Sequence, residues 1–305
     1  MGDSTVVKVV ILFGAGASHL DGGPNRPPLG DAALFRELRS HYLDSWGLVP
    51  SELENEFGNN FEDGMEVVFE KGIGSLVELH KDMAAYFSRF TVPNEPYHLL
   101  VDHYRTAIRS EEILLASLNY DWLLELAAGD CGLSTTYFQS SNGIRFLKLH
   151  GSCNFIIDES MIKIGGKLTM GPRAHFESGI MAVHPSEVSG ILSRSKFPPA
   201  MALYAKGKPI LTGSKQVTEL QKQYREAVSQ TRAVLVIGAK PNPSDEHVWG
   251  PLKELDGTLA YVGNKAKYEE WTSMDRAGKD SVWLGNRFQD SLSSIFGFID
   301  AYLRF

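Results

Sequence analysis

The feature that most constrains this fold is an apolar run that ends abruptly in glycine. Residues 6–18 read Val-Val-Lys-Val-Val-Ile-Leu-Phe-Gly-Ala-Gly-Ala-Ser. Such a run, rich in β-branched residues, predicts a buried parallel strand followed by a turn into a helix. Gly14 and Gly16 would let an anion approach the backbone, and Ser18 would add a hydroxyl donor. The same glycines also suit a tight turn without any ligand, so both interpretations stay open.

The residues around this turn disfavour two common nucleotide-binding motifs. His19 stands where a dinucleotide-binding fingerprint has its third glycine, and no acidic residue ends a second strand about twenty residues further on. No Gly-Lys-Ser/Thr closes the turn, as a P-loop requires. A loop rich in proline and glycine follows instead, and then an amphipathic helix predicted from Asp31 to about Leu43. An ordinary dehydrogenase or P-loop NTPase is therefore disfavoured.

Composition indicates an ordinary globular protein. The chain has 305 residues, of which 43% are hydrophobic and 22% are charged. Its formal charge of −7 argues against a general nucleic-acid binder. The two cysteines, Cys131 and Cys153, suit a reducing compartment and cannot form a four-thiolate zinc site, so we predict no metal. No apolar run approaches the length of a membrane span, and we expect a cytoplasmic protein with no membrane and no direct nucleic-acid contact.

The chain between the first strand and the next is predicted to be mostly helical. The segment 50–64 is acidic and poor in aliphatic residues, which predicts a surface loop. Over 65–109 the hydrophobic residues recur near helical spacing, and Pro93 and Pro96 break this helical region. His98 and His103 lie five residues apart, a spacing that places them on different sides of a helix and disfavours a metal pair.

These patterns divide the chain into a core and two additions. Short pieces punctuated by glycine and proline over 155–209 predict a loop-rich lid, whose basic residues could meet an anionic ligand. The segment 36–111 is predicted to be a helical insertion. We expect one domain over 1–305, with a core built from 1–35, 112–154 and 210–305.

Polar residues or glycine stand at the ends of the predicted core strands. Asn119 and Asp121 follow a strand at 113–118, His150 follows a strand at 146–149, and Gly238 follows a strand at 233–237. Further strands at 259–262 and 281–284 and a closing helix complete a doubly wound, parallel α/β sheet. Because the carboxyl ends of parallel strands share one edge, we expect these residues and Gly14 to line one cleft. Taken singly, Asn119 or Asp121 would only cap a helix, and a lone histidine more often packs in a core.

Together, these segments resemble the sirtuin-like (silent information regulator) superfamily. The resemblance is carried, in order, by Gly14-Ala-Gly-Ala-Ser18, Ser117-Leu-Asn119-Tyr-Asp121, Leu149-His150-Gly151 and Val236-Ile-Gly238. It covers roughly 6–30, 112–154 and 230–300, and it does not extend to the helical insertion or the lid. The resemblance implies a Rossmann-like sirtuin fold that uses NAD.

The resemblance also implies a role for each matching residue. The NAD phosphates would be held by the glycine-rich turn, at Gly14, Ala15, Gly16 and Ser18. Asn119 and Asp121 would line the nicotinamide-ribose pocket, and His150 would be the catalytic base. Gly238 and Asn264 would reach the adenosine side.

Departures from the deacylase members narrow the implied activity. No four-cysteine zinc ribbon follows His150, and residues 24–30 replace the Pro-Asp-Phe-Arg-like loop of that family. The Asn-Tyr-Asp form and the helical insertion are more similar to prokaryotic sirtuin-like NAD hydrolases of anti-phage defence. That similarity implies that NAD is a substrate cleaved to nicotinamide and ADP-ribose, with gating by a homo-oligomer or by a complex with a sensor protein.

Two other classes of function stay open from the sequence. One is a sensor or scaffold that binds NAD or ADP-ribose without turnover, and the other is a deacylase or ADP-ribosyl transferase that uses a protein acceptor. The residues themselves suit hydrolysis of NAD. Its oxocarbenium-like transition state needs a base and precise alignment, which His150 and Asn119 can supply.

Overall fold

The strands of the protein alternate with helices along most of the chain. The computed structural model describes residues 6–59, 61–138, 143–159, 178–202 and 210–304. Its strands are β1 (Val9–Phe13), β2 (Ile113–Ser117), β3 (Thr135–Thr136), β4 (Ile144–Lys148), β5 (Phe155–Ile157), β6 (Ile180–Ala182), β7 (Ala233–Ile237), β8 (Thr258–Val262) and β9 (Ser281–Gly285).

Helices cover both faces of the sheet that these strands form. They are α1 (Ala15–His19), α2 (Ala32–His41), α3 (Glu54–Asn59), α4 (Phe61–Lys71), α5 (Leu76–Ser88), α6 (Glu95–His103), α7 (Arg105–Arg109), α8 (Leu123–Asp130), α9 (Pro185–Leu192), α10 (Ser214–Gln230), α11 (Glu246–Glu254), α12 (Lys265–Asp275) and α13 (Leu292–Leu303). Within the described ranges, no helix combines the length and the apolar character needed to cross a bilayer.

The central sheet is parallel throughout. Its strand order is β3-β4-β2-β1-β7-β8-β9, while β5 and β6 form a separate antiparallel pair. The chain starts at β1 in the centre, builds one side of the sheet, and then returns to β7 on the other side of β1. The order of strands therefore reverses between β1 and β7, where open α/β sheets form a crevice. The predicted doubly wound, parallel α/β fold is confirmed.

The central strand β1 explains why helices are needed on both faces. All five of its residues are fully buried. Val9, Ile11 and Phe13 join the core on the face covered by α2 to α8 and α13, whereas Val10 and Leu12 join the core beneath α10, α11 and α12. A strand with two buried faces has a continuous apolar sequence, as this one has.

Polar side chains cap the first turns of α2 and α6. The side chain of Asp31 accepts a hydrogen bond from the N–H of Ala33 at 2.8 Å, which confirms the predicted start of α2. The side chain of Asn94 accepts from the N–H of Tyr97 at 2.9 Å, so α6 begins at Glu95, between the two prolines that were predicted to break the helical region. Pro96 fits the first turn of a helix because its missing N–H is not needed there.

The predicted surface loop over 50–64 is wrong. The segment forms a short 3-10 turn at Ser51–Leu53, then α3, and then the start of α4. Leu53, Phe57 and Phe61 are buried, and they recur every four residues. These three apolar side chains pack into the core from three successive helical turns, whereas the acidic residues of the segment are exposed or half-buried.

The predicted loop-rich segment over 155–209 holds more regular structure than expected. Strands β5 and β6 pair within it, and α9 follows. Of the basic residues predicted here to meet an anion, those at 163–173 and 206–208 lie outside the described residues, and Arg194 and Lys196 are exposed. The assignment of 36–111 as an insertion and 155–209 as a lid stays a prediction.

A substitution at Gly238 tests the close packing between the turn after β7 and helix α1. Gly238 has φ +69°, and a Cβ added there would lie 2.3 Å from the backbone nitrogen of Ala17. We expect Gly238→Ala to lower the free energy of unfolding by about 2–4 kcal/mol, from backbone strain and overpacking together. Gly129→Ala is the control: Gly129 is an exposed residue of α8, and an added Cβ meets no atom within 4 Å.

Urea denaturation of both variants provides the measurement. Gly129→Ala should raise the free energy of unfolding by about 0.5–1 kcal/mol, because alanine loses less backbone entropy in a helix. A Gly238→Ala variant as stable as the wild type would contradict the packing described for this turn.

His80 in α5 should make the protein sensitive to acid. Its ring is fully buried, neither ring nitrogen has a hydrogen-bond partner among the described residues, and burial lowers its pKa from 6.5 to about 4. A group whose pKa falls on folding takes up its proton more readily when unfolded, so stability is lost as the pH falls from about 6.5 towards 4.

His80→Leu removes this proton uptake. We expect its advantage in unfolding free energy over the wild type to grow by about 2–3 kcal/mol between pH 7 and pH 4.5. Urea denaturation of both proteins at the two pH values measures the change. A difference that does not vary with pH would show that His80 is accessible to protons in the folded state.

Candidate functional site

The structure places four of the predicted site residues at one edge of the sheet. The neighbouring parallel strands are β4, β2, β1 and β7, and the residues lie within two positions of their ends, at His150, Asn119, Gly14 and Gly238 respectively. Since these strands run in the same direction, all four residues lie at their carboxyl ends. The edge also contains the point between β1 and β7 where the strand order reverses.

The glycine-rich turn packs tightly against the end of β7. The N–H of Gly14 donates to the carbonyl of Ile237, and the N–H of Gly16 donates to the carbonyl of Gly238, each at 2.9 Å. A Cβ on Gly14 would lie 2.5 Å from the Cα of Ala239, so no larger residue fits. The tight-turn interpretation therefore accounts for both glycines. Ala15, the first residue of α1, is exposed.

Ser18 is the centre of a buried cluster of polar side chains. Its Oγ accepts a hydrogen bond from Asn119 Nδ2 at 3.0 Å and donates to Asp121 Oδ1 at 3.1 Å. Asn119 Nδ2 also donates to the carbonyl of Gly14 at 3.0 Å. Asp121 Oδ1 accepts from the N–H of Leu123, the first residue of α8, at 3.1 Å as well, although the N-cap residue of this helix is Trp122.

Helix α6 contributes two further side chains to this cluster. The side-chain amide of Asn94 donates to the carbonyl of Ala17 at 2.8 Å, and Asn94 is fully buried. The hydroxyl of Tyr97 lies 3.0 Å from Ser18 Oγ, and burial raises the pKa of Tyr97 well above 10. The phenol is therefore neutral across the physiological range. Sequence analysis gave α6 no part in the site.

His150 lies against residues from the start of α11. Its Nε2 is 3.7 Å from Asp245 Oδ2, and its ring centroid is 5.2 Å from that of His247. His150 and Asp245 are only 5% exposed. Sequence analysis missed Asp245 and His247, although an Asp-x-His pair shortly after the end of β7 places both at the first turn of a helix, on the same edge as the predicted site.

A buried lysine lies beside the site, and sequence analysis missed this residue too. Lys148, the last residue of β4, is fully buried, and its Nζ lies 2.5 Å from the backbone carbonyl of Asp121 and 3.2 Å from Glu125 Oε1. The hydroxyl of Tyr137 donates to the same carboxylate oxygen of Glu125 at 3.0 Å. The sequence alone does not indicate whether a lysine at the end of an apolar strand points into the protein or towards solvent.

The two buried carboxyl groups share this single ammonium. Burial raises the pKa of Asp121 and that of Glu125, and the nearby charge of Lys148 opposes the increase at both. The charge of Asp121 also raises the pKa of Glu125. The cluster is therefore a set of coupled charges within the protein interior.

Asn264 lies at the same sheet edge but acts locally in this structure. It follows β8, is exposed, and accepts a hydrogen bond from the N–H of Lys267 at 3.0 Å, which caps α12. Its predicted place on the adenosine side stays a prediction.

The described residues contain no group of three or more histidine, cysteine or acidic side chains that could hold a metal. Cys131 and Cys153 are both free, and burial raises the pKa of the Cys153 thiol above its usual range. This thiol is therefore protonated near neutral pH, which makes it a poor metal ligand in that form.

No protein-family model and no curated protein sequence matches the chain. Among solved structures, one similar chain is a Sir2 homologue with three substitutions, in complex with 2′-O-acetyl ADP-ribose. The two chains are 14% identical, with a TM-score of 0.46, and the match covers 95% of this chain and 92% of the other. Similarity at this level assigns no activity to this chain.

Proposed function

We propose that this chain binds NAD at the carboxyl edge of its sheet and hydrolyses the bond between nicotinamide and ribose. The observation that carries the proposal is a buried imidazole, that of His150, which lies 3.7 Å from the carboxylate of Asp245. It is at the same edge as the cluster in which Asn119 and Asp121 contact Ser18. A base together with fixed amide, carboxylate and hydroxyl groups suits a reaction on a ribose.

The chemistry assigns a proton acceptor to this site. The bond from ribose C1′ to nicotinamide breaks through an oxocarbenium-like state, and nicotinamide leaves as a neutral molecule. Water supplies the hydroxyl group that C1′ gains, and the remaining proton passes to a base. We assign this role to His150, acting on the water or on a ribose hydroxyl. Asp245 would stabilise the imidazolium that results.

Asn119 and Asp121 are assigned to the nicotinamide-ribose side. The two hydrogen bonds that Asn119 Nδ2 donates hold its side chain in one orientation. A group that is already fixed loses little entropy when the substrate aligns with it. Asp121 would act through Ser18, whose hydroxyl it orients at 3.1 Å.

The NAD phosphates are assigned to the turn from Gly14 to Ser18. Gly14 and Gly16 donate their N–H groups to the end of β7, which leaves the exposed Ala15 as the residue of this turn that an anion can approach. We assign Gly238 and Asn264 to the adenosine side, because they follow β7 and β8 at the same edge.

The wider role that we propose is that of a cytoplasmic effector in prokaryotic anti-phage defence. Its support is the sequence resemblance in the Asn-Tyr-Asp motif and the helical segment. Unrestricted hydrolysis of NAD would harm the cell that makes the enzyme, so we expect activity to depend on a homo-oligomer or on a separate sensor protein. NAD levels in cells that express the protein, measured with and without phage infection, test this role.

A second function, binding of NAD or ADP-ribose without turnover, is favoured by one observation. In this structure Asn119 Nδ2 donates to Gly14 and Ser18, and both of these acceptors belong to the protein itself. The side-chain nitrogen of Asn119 therefore already has two acceptors within the protein. If its role is only structural, Asn119 shapes a nucleotide-binding site without taking part in bond cleavage. Calorimetric titration with NAD, alongside chromatography of the products, distinguishes binding alone from hydrolysis.

Two substitutions test the proposed catalytic roles. His150→Ala removes the base and Asn119→Ala removes the fixed amide, and each should lower the rate of nicotinamide release by about 10²-fold or more. Both side chains are buried, so each variant should also lose about 1–3 kcal/mol of stability. The measurement is NAD turnover per folded molecule, with the melting temperature recorded on the same samples.

His98→Ala is the matched control for this experiment. His98 contacts Asp130 at 2.8 Å, between α6 and α8, and is not part of the site. Its turnover should stay within about twofold of the wild type. Equal turnover in the wild type and in both site variants would exclude the proposed roles. Tight NAD binding without nicotinamide release, including after addition of cell extract, would favour the second function.

A further inference from the structure

Lys148 connects two neighbouring strands at the edge where the proposed site lies. It ends β4, two residues before His150, and its ammonium lies 2.5 Å from the backbone carbonyl of Asp121. Asp121 belongs to the turn that follows β2, two residues after Asn119. The lysine side chain therefore joins the strand that carries His150 to the turn that carries Asn119.

Packing alone does not account for a lysine at this position. Lys148 is fully buried, and its partner Glu125 is 7% exposed. Burial of an ammonium and a carboxylate carries a large desolvation cost, and a well-packed apolar pair is often at least as stable. An apolar side chain could not donate a hydrogen bond to the Asp121 carbonyl. The contact at 2.5 Å is also shorter than the 3.2 Å from Lys148 to Glu125.

We infer that Lys148 is a positioning residue, which fixes the turn 119–121 relative to His150. This inference rests on the proposed function, because the two side chains that it aligns are those assigned to the cleavage of NAD. Glu125 holds the ammonium in place from α8, and Tyr137 holds Glu125 through the hydrogen bond at 3.0 Å. When this turn is fixed, the hydrogen bond from Asn119 to the Gly14 carbonyl and that from Ser18 to Asp121 are maintained.

The test compares Glu125→Gln with the double variant K148M/E125Q. The double variant removes one positive and one negative charge, so the formal charge of the cluster is the same as in the wild type. Methionine retains an unbranched side chain without a donor for the Asp121 carbonyl. Glu125→Gln alone shows the effect of losing the carboxylate while Lys148 is present. If K148M/E125Q does not fold, K148L/E125Q replaces it, since leucine also lacks a donor for the Asp121 carbonyl and can pack in this buried position.

Two measurements are made on each protein. The first is NAD turnover, for which K148M/E125Q should show a kcat at least about tenfold below that of Glu125→Gln, with KM within about threefold. The second is amide hydrogen exchange. The amides of residues 119–123 should exchange at least about tenfold faster in the double variant, whereas those of β8 should keep their protection.

The outcomes separate this inference from the proposed function. Unchanged exchange at residues 119–123 overturns the positioning role, whether or not NAD is cleaved. If K148M/E125Q shows faster exchange at residues 119–123 but the same kcat as Glu125→Gln, positioning by Lys148 has no importance for the reaction. If the wild type does not cleave NAD under any condition, the proposed function fails, and the exchange data alone decide whether Lys148 fixes the turn.

Discussion

The close approach of the glycine-rich turn to the end of β7 is the contact on which the rest of the site depends. Two backbone hydrogen bonds of 2.9 Å join Gly14 and Gly16 to Ile237 and Gly238. A Cβ on Gly14 would lie 2.5 Å from the Cα of Ala239, so this approach requires glycine at position 14. This contact extends the pairing of β1 with β7 into the turns that follow the two strands. It also sets the start of α1, and therefore the position of Ser18.

From Ser18 outward, the site is built of buried polar groups that satisfy one another. Asn119 and Asp121 reach Ser18 from the turn after β2, and Lys148 approaches the same turn from β4. Unpaired polar groups at this depth would be costly, so each side chain restricts the conformation of the next. A chain of mutually satisfied groups gives the rigid placement that catalysis or tight nucleotide binding requires.

The sheet could be predicted from the sequence because its strands are buried on both faces. Such strands are short apolar runs ending in glycine or polar residues, and the predicted bounds of β7 agree with the structure residue for residue. The parallel order then places the polar strand ends at one edge. The helices over 50–64 were missed because Phe57 and Phe61 lie among acidic residues. Lys148 was missed because the direction of a side chain at a strand end depends on tertiary packing. Asp245 was missed because it lies beyond the end of β7, at the start of α11.

The two hydrogen bonds from α6 have a mechanical consequence. Asn94 holds the backbone of Ala17, and Tyr97 lies against the hydroxyl of Ser18, so the first turn of α6 is fastened to α1 at two points. Any displacement of α6 along its axis must break these bonds or carry Ser18 with it. A movement of the helices between β1 and β2 would therefore be transmitted to the sheet edge through single side-chain contacts.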